Sequence, residues 1–118
     1  MAKLSVKKQD EMVQVEIDKL WEVLADVPED KMKVVEKLIE RVAFMTVTLR
    51  ILEDDIKRKG PTYKMKQGSQ EMYVENPSQK SYNTMINRYT AAYAKLIDML
   101  PRNEGEPDDG FESFVNAK

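Results

Sequence analysis

The sequence predicts a mainly α-helical, oligomer-forming fold in which two long antiparallel helices are joined by a β-hairpin and preceded by an additional N-terminal helix. Three observations lead there. Apolar residues recur at alternating spacings of three and four over two long stretches, as they do when a helix buries one face. Between those stretches, apolar and polar residues alternate on either side of a Gly-Ser pair, as they do in a hairpin. The composition agrees, since 118 residues that are 34% charged and 42% hydrophobic, with only four Gly and five Pro, suit one helix-rich domain.

The first helix is expected from about Lys7 to Asp26, where Val13, Ile17, Leu20, Leu24 and Val27 draw one apolar stripe. Pro28 is then expected at the first position of a second helix, because its ring needs no amide partner there and Glu29 and Asp30 face the positive end of the helix dipole. The second helix carries the strongest pattern: Val35, Leu38, Val42, Met45, Leu49, Leu52 and Ile56 form a coiled-coil-like seam. Val34, Ile39, Phe44, Val47 and Ile51 widen the apolar surface beyond what a single partner covers. Gly60-Pro61 ends this helix after about thirty residues, a length of about 45 Å that a small globule barely covers.

Folding residues 62–75 about Gly68-Ser69 pairs Lys66 with Glu71, Met65 with Met72, Lys64 with Tyr73 and Tyr63 with Val74. That register puts Tyr63, Met65, Met72 and Val74 on one apolar face and Lys64, Lys66, Glu71 and Tyr73 on the polar one. An isolated hairpin is marginal in water, so its apolar face must pack on the helices or on other subunits. Asn76 caps and Pro77 opens the third helix, whose stripe of Tyr82, Ile86, Tyr89, Tyr93, Leu96 and Leu100 ends at Pro101. Residues 1–103 thus form a single helical domain, and the acidic, turn-rich residues 104–118 are expected to be a disordered tail.

The chain has no Cys and no His, which excludes disulfides, thiol nucleophiles, Ser-His triads and the usual zinc sites. Neither a phosphate-binding glycine loop nor a dinucleotide fingerprint occurs, so neither catalysis nor a cofactor is expected. No apolar run is long enough to cross a bilayer and the first residues are too charged for a signal peptide; a cytoplasmic protein with no membrane partner is the expectation.

Charge is unevenly spread. Residues 1–56 hold nine bases and thirteen acids, residues 57–103 nine bases and three acids, and residues 104–118 one base and five acids. A basic middle between acidic ends marks where a phosphate backbone would lie, and the candidate DNA-binding residues are Lys57, Arg58, Lys59, Lys64, Lys66, Lys80 and Arg88, with Lys95 beyond them. Part of that charge is expected to be cancelled, because Glu53, Asp54 and Asp55 stand four residues before Lys57, Arg58 and Lys59. The lysines of the hairpin have an ordinary alternative role as guards against edge pairing. The candidate oligomer interface is Val34, Phe44, Val47 and Ile51 on the second helix with Tyr63, Met65, Met72 and Val74 on the hairpin.

The order of a helix, a long helix ending in "LRILEDDIKRKGPTY", a hairpin, and a helix opening "ENPSQKSYNTMINRYTAAYAKLIDMLP" resembles the compact group of phage terminase small subunits. The likeness covers roughly residues 12–101 and rests on order and texture. It implies a non-catalytic DNA-packaging protein that forms a ring, binds double-stranded phage DNA and regulates a separate large terminase subunit. The acidic tail, with Phe111, Phe114 and Val115 as a short anchor, is the expected contact to that subunit. Many members carry a basic N-terminal helix-turn-helix domain, whereas residues 10–30 here are acidic and supply too few helices for one, so the DNA surface is expected elsewhere. Two other readings stay open: a helical adaptor that binds protein and no DNA, favoured by the net charge of -2, and a dimeric DNA-binding regulator.

Overall fold

The computed structural model describes residues 4–101. Helix α1 (Val6–Val23) starts at Ser5, whose hydroxyl accepts the Lys8 amide at 3.1 Å. The helix stops three residues short of the expected Asp26. Pro28 disfavours helical backbone at the residue before it, and the chain turns through residues 24–26 with the Val27 amide bonded to the Leu24 carbonyl at 3.2 Å. Pro28 itself lies outside α-helix, in extended backbone, and leads into a single 3-10 turn at Glu29–Lys31 before helix α2 (Met32–Lys59) begins.

Helix α2 ends at Gly60, which holds φ 87°, ψ 164° and returns its amide to the Ile56 carbonyl at 2.7 Å. Only glycine enters that backbone region without strain, and an added Cβ would also stand 3.2 Å from the Thr62 carbonyl oxygen. Strands β1 (Thr62–Gln67) and β2 (Gln70–Glu75) form an antiparallel hairpin in the expected register, Tyr63 opposite Val74 and Met65 opposite Met72. Gly68 alone of the two turn residues has positive φ, at 61°, as a type II′ turn requires. Helix α3 (Pro77–Asp98) opens with Asn76 as cap, its side-chain oxygen accepting the Ser78 amide at 3.0 Å, and gives way to a turn before Pro101.

Both α1 and α3 run antiparallel to α2 and pack along it. Contacts at two heights fix this arrangement: Ser78 and Tyr82, early on α3, meet Asp55 and Glu53, late on α2, while Leu96, late on α3, clusters with Val35 and Ile39, early on α2. On α1, Glu16 meets Arg50 at 3.2 Å while the later Leu20 clusters with Val35 and Ile39. The apolar core gathers at one end, where Leu20, Leu24 and Val27 close against Val35, Ile39, Val42 and Ala43 of α2 and Leu96 of α3. Trp21, Leu38, Tyr89 and Leu100 flank it. Of the seam read from the sequence, Val35, Val42 and Leu49 are buried, while Leu38, Met45, Leu52 and Ile56 are half-buried.

The result is a thin slab, 69 × 42 × 18 Å with a radius of gyration of 19.5 Å, against about 13–14 Å for a compact domain of this length. Among the described residues the hairpin strands pack substantially only on each other. No described helix is long and apolar enough to cross a membrane.

Candidate nucleic-acid interface and assembly surface

The cations read from the sequence separate into two groups once the chain is folded. Five lie at or beyond the end of α2. Arg58 donates to Asp54 at 2.6 Å and Lys59 reaches Asp55 at 3.6 Å, both one helical turn away. The third expected pair does not form, because Glu53 instead accepts the Tyr82 hydroxyl at 3.1 Å from across the helix interface. Lys57 is left beside a shallow depression lined with Glu53, Ile56, Gln79 and Tyr82.

On the hairpin, Lys64 and Lys66 both reach Glu71, at 3.3 and 3.5 Å, and Lys64 stands 5.7 Å from the centroid of the Tyr73 ring. Such exposed ion pairs contribute only about 0–1 kcal/mol each, so a phosphate can displace Glu71. What they do remove is field: Lys64, Lys66 and Glu71 together present one net positive charge, not two.

Lys80, Arg88 and Lys95 on α3 differ. All three are exposed, and none forms an ion pair with another described residue. No acid occurs on α3 before its last residue, Asp98. At 100° per residue these three cations lie on the side of α3 opposite the stripe that faces α2, and the exposed Thr84, Asn87 and Ala91 lie among them. Sequence reasoning found the cations but not the three residues between them; projecting the helix would have placed them on the same face.

Polar contacts fix where the hairpin leaves the slab. Asn76 is 1% exposed and donates its side-chain amide to the Gly60 carbonyl at 3.0 Å, while its backbone amide meets the Pro61 carbonyl at 2.8 Å. Ser78 donates its hydroxyl to Asp55 at 2.7 Å. That bond, with help from Asn76 and the Lys59 charge, outweighs partial burial and holds the Asp55 carboxyl below its usual pKa of 3.8. The Glu53 carboxylate pushes the Tyr82 phenol the other way, above its usual value of 10.0, by accepting its proton in a hydrogen bond. These contacts join both ends of the hairpin to the helices and give it a fixed direction.

The candidate assembly residues also divide. Met65 and Met72, 37% and 43% exposed, face each other across the strands, with the half-buried Tyr63 and Val74 beside them. This is one continuous apolar face on which, among the described residues, no helix packs substantially. On α2, Val34 and Phe44 are more than half exposed and Ile51 is half-buried. Val47 is 2% exposed, already covered by its own chain, and so offers nothing to another copy. Phe111, Phe114 and Val115 lie outside the described residues. Among the described residues no three acidic side chains converge as a metal site would need.

No model of a known protein family, no curated protein and no solved structure matches the chain.

Proposed function

We propose that the chain is a non-catalytic DNA-packaging protein of a tailed phage or prophage, of the small terminase subunit kind, that works in the host cytoplasm. It assembles into a ring, binds double-stranded viral DNA and regulates a separate large subunit. The observation that carries this reading is the uncovered apolar face of the hairpin, Tyr63, Met65, Met72 and Val74, held out from a slab only 18 Å thick. A face of that kind on a two-stranded sheet is stable when a neighbouring copy covers it. A contact between the hairpin of one copy and a different surface of the next is heterologous, and a heterologous contact whose rotation closes builds a ring. The acid-free outer side of α3 supports the DNA part of the reading.

Sedimentation of the purified chain with a fluorescent duplex tests it. The expected result is a duplex that moves with an oligomer at low salt and is released as salt rises, because phosphate contacts release counterions. A duplex that sediments alone at every salt concentration rules out the DNA-packaging assignment. One observation favours the second reading, an adaptor that binds protein only: Arg58, Lys59, Lys64 and Lys66 are already paired with acids of the same chain. A dimer that binds DNA would instead indicate the regulator.

A further inference from the structure

We propose that α3 is the element that enters DNA, laying its outer face in the major groove with Asn87 and Arg88 at the base edges and Lys80 and Lys95 on the flanking phosphates. This rests on the DNA-binding reading above and says how that binding is done.

Four observations carry it. First, the face is chemically unlike the other outer faces of the slab. Helix α2 interleaves Lys33, Glu36, Lys37, Glu40 and Arg41, an ordinary solvated mixture, whereas α3 carries only cations before Asp98. Second, Lys80, Thr84, Asn87, Arg88, Ala91 and Lys95 are all exposed and fall within about a third of the helix circumference. The cations are available, since the ion pairs of the described residues leave these three out.

Third, α3 packs chiefly on α2 at the side of a thin slab. A helix with its side chains is about 10–12 Å across and the major groove about 12 Å wide, so a helix placed in this way can enter without the body of the protein meeting the backbone. Fourth, the spacing fits. Lys80 and Lys95 are about 22 Å apart along the helix, so long side chains at both ends reach phosphates while the middle faces bases. In that middle, an arginine suits the guanine acceptors and an asparagine the adenine edge. Ala91 between them is small enough for close approach and can touch a thymine methyl. The hairpin, with Lys64 and Lys66 shared by Glu71, is left for assembly.

The test selects duplexes from a randomised library with the full chain and then compares variants on the selected and on unrelated duplexes. Asn87→Ala and Arg88→Ala are expected to lose about 5- to 150-fold on the selected duplex and little on the others, flattening the preference at one or two adjacent base pairs. Lys80→Ala and Lys95→Ala are expected to weaken all duplexes alike and to lower the salt slope by about one each. Methylating guanine N7 in the selected duplex is expected to block binding, and a minor-groove ligand is expected not to compete. These side chains are exposed, so helical content is expected to stay unchanged in each variant.

Selected duplexes that bind the Asn87 and Arg88 variants with undiminished preference would overturn the α3 assignment while leaving DNA binding in place. So would a library that yields no base preference at all, or competition by the minor-groove ligand. A wild-type chain that binds no duplex even at low salt would remove this inference and the DNA-packaging reading together.

Discussion

Where α1 turns into α2, Leu24, Val35, Ile39, Val42 and Leu96 are fully buried against one another. Where the hairpin leaves the slab, the buried side chain is Asn76, and the links are hydrogen bonds from Asn76, Ser78 and Tyr82 to Gly60, Asp55 and Glu53. Apolar contact is strong in sum but has no direction, whereas hydrogen bonds add little net stability each and fix geometry. One end therefore keeps the chain folded and the other aims a projecting element. Substitutions at the two ends should differ in kind as well as in size.

The largest effect is expected at the core end. Ile39→Ala removes a fully buried side chain and should cost about 2–5 kcal/mol, read as a lower denaturant midpoint with loss of protection throughout the chain. At the hairpin end Asn76→Ala should cost about 1–3 kcal/mol, because it removes the α3 cap and leaves the Gly60 carbonyl without its side-chain donor. Its hydrogen-exchange signature should be local, with protection lost around the hairpin and the start of α3 while the core amides keep theirs. Equal loss at both ends would mean that the slab unfolds as one unit and that its two ends do not differ in this way.

Tyr89→Phe falls between the two regions and should cost about 0.5–1.5 kcal/mol, since the ring stays against the core and only the bond to Thr46 goes. Acid should act on the hairpin end first. The Asp55 pKa is lower in the folded chain than its usual 3.8, so its contribution is complete above about pH 4. It should fade as pH falls through the lowered folded value. Hydrogen exchange followed downward through pH 4 should show the hairpin base opening before the core, and Asp55→Asn should abolish that difference. The smallest effect on stability is expected from Met65→Lys with Met72→Glu, within about 0.5 kcal/mol because both side chains are partly exposed and the new charges are opposite in sign across the strands, although the same change should dismantle the assembly.

The sequence disclosed the parts of the fold that depend on local spacing. Gly68-Ser69 fixed the register, since a shift by one residue would have mixed Tyr63, Met65, Met72 and Val74 with the lysines. The three-and-four spacing likewise identified the buried side of α2, with Val35, Val42 and Leu49 all inside. Contacts between residues far apart in the chain were hidden. Glu53 was expected to pair with Lys57 one turn on, but a tyrosine 29 positions away takes it. Val47 was read as a surface for another copy because periodicity shows a face and not its neighbour. The candidate DNA surface was legible in part: the pairs of Arg58 with Asp54 and Lys59 with Asp55 followed from their spacing of four, whereas the sharing of Glu71 by Lys64 and Lys66 emerged only in the folded hairpin.

The most direct test is the absolute mass of the purified chain by light scattering behind a sizing column, over a range of concentrations, for wild type and for the Met65→Lys, Met72→Glu double variant. The account predicts a single large, concentration-independent species for wild type and a monomer with unchanged helical content for the variant. A wild-type chain that is monomeric at every concentration would contradict it, because the exposed hairpin face would then have no second copy to cover it.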